Sequence, residues 1–247
     1  SGNDAAIALA EHVAGAEDAF ASLMNAYAKR IGMKHSNFVN AHGLSAENHY
    51  STPRDLALLG RAMVRDYPEQ YAYNKLREFT VGTITQPNRN LLLWRDPAVD
   101  GIKTGHHSGA GYCLMSSAMR GDQRLIAVVM GSTSEKQRAD DSMALLNWGF
   151  RFFETHRLYE AGKAIAQQRV WKGTTKEVQL GVAEPLLVGV PRGRYGDLKP
   201  TMDVPKLLEA PITKGQAIGT VKVTLDGKLV AQAPLVALNA VEQGGFF

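Results

Sequence analysis

Apolar residues at Phe20, Leu23, Met24, Tyr27, Ala28 and Ile31 recur at the spacing that lines one face of a helix, and Gly32 stands where that helix would end. Upstream, the alanine-rich stretch from Asp4 to Ala14 carries Ile7, Leu9 and Val13. It predicts a short helix entered through a turn at Ser1 to Asn3. Thr52 places a hydroxyl before Pro53, which suits the first helical position, and Asp55 stands where a capping acceptor would reach back. A third helix is predicted through about Val64.

The pattern then changes. Phe79 to Ile84 predicts a strand, and Pro87 to Asp100 a loop with an apolar patch at Leu91 to Trp94. Gly101 to Gly105, Tyr112 to Met119 and Leu125 to Met130 are short β-like runs separated by turn residues, which predicts an antiparallel meander. Ser142 to Glu154 holds Leu145, Leu146, Trp148, Phe150, Phe152 and Phe153 and predicts a helix covering that sheet. Helices followed by antiparallel strands give an α+β layer domain.

Beyond Thr155 the texture shifts, and residues 170–238 hold short β-like pieces punctuated by Pro191, Gly193, Gly196, Pro200, Pro205, Pro211 and Gly219. Val221 to Val230 forms a hairpin pattern with its turn at Asp226-Gly227. The expectation is a domain over residues 1–156 and a small all-β domain over 157–247, with the boundary near Leu158 to Gly162. The 247 residues, 45% of them apolar, are enough for two modest cores.

Charge narrows the function classes. Lys and Arg number 28 and Asp and Glu 24; residues 1–156 balance at 16 of each, so the whole surplus lies after residue 156. No run of adjacent basic residues tracks a phosphate backbone, which argues against nucleic acid as a partner. No stretch approaches the roughly 20 apolar residues of a membrane span; Leu125 to Met130 is strand-sized. Cys113 is the only thiol, so an internal disulfide is impossible. His106 and His107 are adjacent and would point to opposite sides of a strand, and no His-Glu-x-x-His occurs. No metal site is expected.

Two short motifs could carry chemistry: Ser1-Gly2-Asn3, a Ser-x-Asn, and Lys103-Thr104-Gly105. An acyl-transfer site for a peptide ending in a free carboxylate needs a cation and a hydroxyl at a strand end, and Lys103 with Thr104 supplies both. Gly105 leaves the edge bare for a substrate lying as an added strand. Asn3 offers amide donors to a substrate carbonyl, and the Ser1 hydroxyl near the Lys103 ammonium could relay a proton to the departing amine. Taken alone, the same residues also read as a helix cap and a solvent-facing strand end.

The motifs have company. Val99-Asp-Gly-Ile-Lys-Thr-Gly-His106 followed by Gly109-Ala-Gly-Tyr112, Asn88-Arg-Asn-Leu-Leu-Leu-Trp94, His42-Gly-Leu44, Trp148-Gly-Phe-Arg-Phe-Phe153 and Val241-Glu-Gln-Gly-Gly-Phe-Phe247 closely resemble one family. They look like the low-molecular-mass penicillin-binding proteins of the D-alanyl-D-alanine carboxypeptidase type, and the resemblance runs from Ser1 to Phe247. It implies a penicillin-binding, β-lactamase-like transpeptidase domain followed by a small β domain. It also implies a bacterial periplasmic serine enzyme that removes the terminal D-alanine of peptidoglycan pentapeptides and is acylated by β-lactams. No metal or organic cofactor is implied.

By motif matching, the resemblance gives Ser1 and Asn3 the proton-shuttle and substrate-amide roles, Lys103 the electrostatic role and Thr104 the carboxylate contact. Gly105 and His106 border the substrate, His106 through the backbone N–H that forms half of the family's oxyanion hole. Arg89 is a candidate carboxylate partner, and His42 is a candidate for lining the cleft or for a structural role.

The family nucleophile is the serine of a Ser-x-x-Lys, and no serine here has lysine three positions on. The lone hydroxyl analogue, Thr133 to Lys136, reads as a surface loop. The expectation is a chain that forms the C-terminal part of a longer enzyme, with the nucleophile segment elsewhere. A C-terminal amphipathic anchor to the inner membrane is expected after Phe247, with the basic β domain on the membrane side. Two other readings stand beside this one: a non-catalytic peptidoglycan-binding scaffold of the same fold, and an amidase using the Ser1 hydroxyl with its own α-amine as base.

Overall fold

The computed structural model describes residues 2–245. The chain divides into two compact units, Ser1–Phe150 and Arg151–Phe247.

The first unit opens with α1 (Asn3–Ala14) and α2 (Glu17–Arg30), which pack on each other. Gly15 ends α1 at φ 80° with its amide on the Glu11 carbonyl. The periodic face of α2 forms as the spacing predicts, but only Ala21 and Ala28 are fully buried. Leu23 on α2, with Leu9 and Val13 on α1, stays in water. A loop carries the chain to α3 (Pro53–Asp66), α4 (Pro68–Tyr71) and a short 3-10 turn at Ala72–Lys75.

Thr52 caps α3 as expected, accepting the Asp55 amide at 3.2 Å. The Asp55 carboxylate does not reach back to the cap. It turns to the loop, where Oδ2 accepts from the His35 amide and from Ser36 Oγ, both at 2.7 Å. Burial alone would raise the Asp55 carboxyl, but these donors outweigh it and hold it below the ordinary value.

The predicted strand over Phe79 to Ile84 is a hairpin, β1 (Glu78–Val81) and β2 (Ile84–Pro87), because Gly82 at φ 58° turns the chain midway. The apolar patch at Leu91 to Trp94 is not loop: α5 (Leu92–Arg95) forms there and buries Leu92 and Leu93.

The meander is present as β3 (Val99–His107), β4 (Gly111–Arg120) and β5 (Gln123–Ser132), antiparallel and in that spatial order. Residues 114–118 of β4 are all buried, because helices cover both faces. Leu114 and Ala118 pack with α5 and with α6 (Glu135–Phe152) through Leu92, Ala139, Leu146 and Phe150. Met115 packs on the other face with Tyr71, Leu56, Met63 and Val64.

α6 starts seven residues before the predicted Ser142. Phe153 and Glu154, predicted as its end, begin β6 (Phe153–Tyr159) instead. Lys136, read as part of a surface loop, lies in the first turn of α6 and pairs with Asp140.

In the second unit β6 pairs with β9 (Leu186–Pro191). A six-stranded sheet contains β7 (Ala166–Trp171), β8 (Glu177–Gly181), β10 (Lys199–Asp203), β11 (Leu208–Glu209), β12 (Ala217–Leu225) and β13 (Lys228–Ala237). Asp226 (φ 51°) and Gly227 (φ 75°) make the expected tight turn between β12 and β13. Two clusters of buried aliphatics, one around Val178 and Leu180 and one around Val188, Val221 and Leu235, fill this small all-β domain.

Candidate active site

β3 is an edge strand of its sheet among the described residues, and Lys103, Thr104 and Gly105 lie on it opposite Met115, Leu114 and Cys113 of β4. Thr104 is buried at 7% exposure, while Lys103, Gly105 and His106 are exposed. A Cβ at Gly105 would meet nothing within 4 Å, so the bare α-carbon answers no packing demand inside this chain.

The base of β3 is firmly fixed. Arg124 holds Asp100 with two bonds of 2.9 and 2.8 Å and also donates to Ser117 Oγ at 2.7 Å. The Tyr71 hydroxyl donates to the same carboxylate at 2.8 Å. Burial first, with the neighbouring Asp100 carboxylate adding to it, pushes the Tyr71 phenol above its ordinary value, so it stays a donor.

The Asn88-Arg89-Asn90 segment is pinned on either side of its cation. Asn90 donates to the Gly101 carbonyl at 2.9 Å and accepts the Leu92 amide; Asn88 accepts the Asn90 amide at 2.9 Å and donates to the Leu76 carbonyl at 2.9 Å. Arg89 between them is exposed.

A cation absent from the sequence reading completes this region. Arg138, on the first turns of α6, is only 2% exposed and donates to the Arg89 carbonyl at 3.2 Å. Its guanidinium lies 5.6 Å from the Tyr112 ring, which in turn stacks on His106 at 4.0 Å. Glu135, 3.7 Å away and largely in water, is the nearest acid recorded for it among the described residues. Ser134 caps α6 through the Gln137 amide at 3.0 Å, so Ser134-x-x-Gln137 is the signal that would have placed Arg138 in a helix start.

These charges act on one another. The Lys103 ammonium donates to the Thr104 carbonyl. Its pKa is held below the ordinary lysine value by desolvation first, then by repulsion from Arg89 and Arg138. The residue as a whole is exposed while its ammonium is partly desolvated. Arg138 is likewise lowered, chiefly by burial. Three cations close enough to repel one another suit an anionic ligand.

Asn3 begins α1 and is exposed; among the described residues no hydrogen bond joins its side chain to Lys103, Thr104 or Gly105. Ser1 lies outside the described residues. His42 sits in the loop before Leu44, with Nδ1 accepting the Leu44 amide at 3.1 Å and Nε2 3.6 Å from Glu17. Glu17 also accepts the Ala41 amide at 2.9 Å. No group of histidine, cysteine and acidic residues able to hold a metal is present among the described residues.

Residues 1–134 match the family model described as D-alanyl-D-alanine carboxypeptidase, and residues 153–243 match that of the penicillin-binding protein 5 C-terminal domain. The chain is 49% identical to the D-alanyl-D-alanine carboxypeptidase DacC of Escherichia coli and 47% identical to its DacA, in each case over 100% of this chain and 62% of the relative. The chain thus spans less than two thirds of the length of those relatives. It is similar to the crystal structure of penicillin-binding protein 5 from Haemophilus influenzae, with TM-score 0.79 and 45% identity over 98% of this chain and 71% of that one. A cefotaxime-bound penicillin-binding protein D2 from Listeria monocytogenes is similar over 60% of this chain and 61% of its own, at TM-score 0.56 and 33% identity. With the Lys-Thr-Gly edge strand and the β-rich second unit both in place, the chain belongs to the D-alanyl-D-alanine carboxypeptidase family of penicillin-binding proteins.

Proposed function

We propose that this chain carries the carboxylate-recognising side of a serine D-Ala-D-Ala carboxypeptidase, which trims peptidoglycan pentapeptides through an acyl-enzyme and is acylated by β-lactams. The observation that carries the reading is the convergence of Lys103, Arg89 and buried Arg138 at an edge strand whose Gly105 is open.

In this reading the pentapeptide lies along β3 as an added strand, and its terminal carboxylate is taken by Thr104 and the three cations. Asn3 holds a substrate amide, and the Ser1 hydroxyl passes a proton to the departing D-alanine, with Lys103 setting the local field. The backbone N–H of His106 faces the developing oxyanion, and His42 borders the cleft. The nucleophile is assigned to a Ser-x-x-Lys supplied from outside these 247 residues, since none occurs within them. A periplasmic location and a hold on the inner-membrane surface through a C-terminal anchor belong to the same reading, because pentapeptide stems lie outside the cytoplasmic membrane. No helix among the described residues is long and apolar enough to cross a bilayer.

Labelling of the whole gene product with a fluorescent penicillin, alongside release of D-alanine from a pentapeptide, tests the proposal. Covalent labelling and turnover, both lost in Lys103→Ala, are expected. Peptidoglycan binding without label or turnover would favour the scaffold instead.

A further inference from the structure

His107 is the last residue of the strand that carries Lys103, Thr104 and Gly105, and no role above uses it. Its Nδ1 is the meeting point of three donors: the amides of Gly109 and Ala110, both at 3.2 Å, and Ser45 Oγ at 3.1 Å. With its proton on Nε2, the neutral ring can accept these hydrogens at Nδ1. Ser45 lies three residues beyond His42. One imidazole therefore closes the β3–β4 turn and ties the His42-Gly43-Leu44 loop to the end of the Lys-Thr-Gly strand.

The surroundings repeat the arrangement. His42 accepts the Leu44 amide at Nδ1, and His49 accepts the Val39 amide at Nδ1 at 3.3 Å while its ring meets Phe38 edge-on at 5.8 Å. His49 is held below the ordinary histidine value by burial, then by His42 and His107. The ionisable groups around His107 are thus His49 and His42 on the loop, Glu17 of α2 engaged with His42, and the adjoining His106 stacked on Tyr112. A proton at Nδ1 of His107, His42 or His49 removes a backbone acceptor, and His49 feels the charge of each of the other two.

We propose that His107 is a positioning residue: its neutral ring holds the His42 loop against the substrate strand, and its protonation releases that hold. This rests on the carboxypeptidase reading of the same site. Acidification would then loosen the cleft from the loop side while Lys103, Arg89 and Arg138 stay charged.

The test uses the whole gene product and follows D-alanine release from a pentapeptide between about pH 5 and pH 8. His107→Ala is expected to lower kcat/KM about three- to tenfold near pH 8, the loss of one or two ordinary hydrogen bonds. Wild type should fall towards that level as the pH drops. His107→Asn, whose Oδ1 can accept in place of Nδ1 and cannot be protonated, should keep its activity in acid. Ser45→Ala removes only the cross-link and should give a smaller loss, which preserves the test if His107→Ala does not fold. Wild type without turnover at any pH would overturn the carboxypeptidase reading. An active wild type whose pH profile is shared by His107→Asn would overturn the positioning role alone.

Discussion

Arg138 donates to the backbone carbonyl of Arg89 at 3.2 Å, so a guanidinium that is almost wholly out of water holds in place the segment bearing a second, exposed one. The link spans 49 residues and joins the start of α6 to the Asn88–Asn90 segment beside β3. It makes the cluster of Lys103, Arg89 and Arg138 a product of the fold and not of any short motif.

Removing Arg138 takes away both a charge and a clamp. Arg138→Ala in the gene product should slow acylation by benzylpenicillin about 10- to 100-fold, the range for a lost charge-assisted hydrogen bond. Stopped-flow acylation rates check this, and a rate equal to wild type would remove Arg138 from the site.

Desolvation of the Lys103 ammonium, with repulsion from Arg89 and Arg138 added to it, makes stability and function pull apart. Lys103→Met should raise the ligand-free thermal midpoint while abolishing acylation. The sign follows from linkage. With its folded pKa depressed, Lys103 loses its proton in the folded state first, so the unfolded state binds more protons and stability rises with pH between the folded and the ordinary lysine values. Calorimetry across that alkaline window should show the rise in wild type and not in Lys103→Met.

Asp55 gives a dependence of the same sign at the acid end, stability rising with pH. Its folded pKa is lowered, so its contribution is present above the ordinary aspartate value of about 3.9 and is lost as the pH falls through the lower folded value. Asp55→Asn should lower the urea midpoint at neutral pH and show less further loss on acidification. Paired denaturation curves at about pH 7 and pH 3 measure it.

Gly181 on β8 tests the second unit. A Cβ there would lie 2.5 Å from the Lys163 carbonyl oxygen and 2.9 Å from Leu238, and the backbone atom cannot swing aside. Gly181→Ala should destabilise that domain by about 1–3 kcal/mol, read as a lower unfolding midpoint with penicillin labelling retained.

Much of the fold was legible because local signals agreed with it. The meander, the Asp226-Gly227 turn and the three N-terminal helices each carry their own periodicity and punctuation. The departures arose where tertiary partners decide. Phe152 and Phe153 suit helix or strand equally, and pairing of Phe153 with Pro191 ends α6 between them. Asp55 occupies a capping position in sequence, but the loop amide of His35 and the Ser36 hydroxyl claim its carboxylate. Lys103, Thr104 and Gly105 stood out as a motif. Arg138 did not, because its position i+3 from Glu135 looks like an exposed ion pair until burial is seen.

The paired asparagines around Arg89 have a practical consequence for any survey of variants. Asn90 is buried and ties the Leu92 amide to the Gly101 carbonyl of β3, so its replacement should register as lost protein yield, whereas the Arg89 side chain faces solvent. A screen scored on abundance would flag the anchor and pass over its cargo; only selection under antibiotic would reverse that ranking.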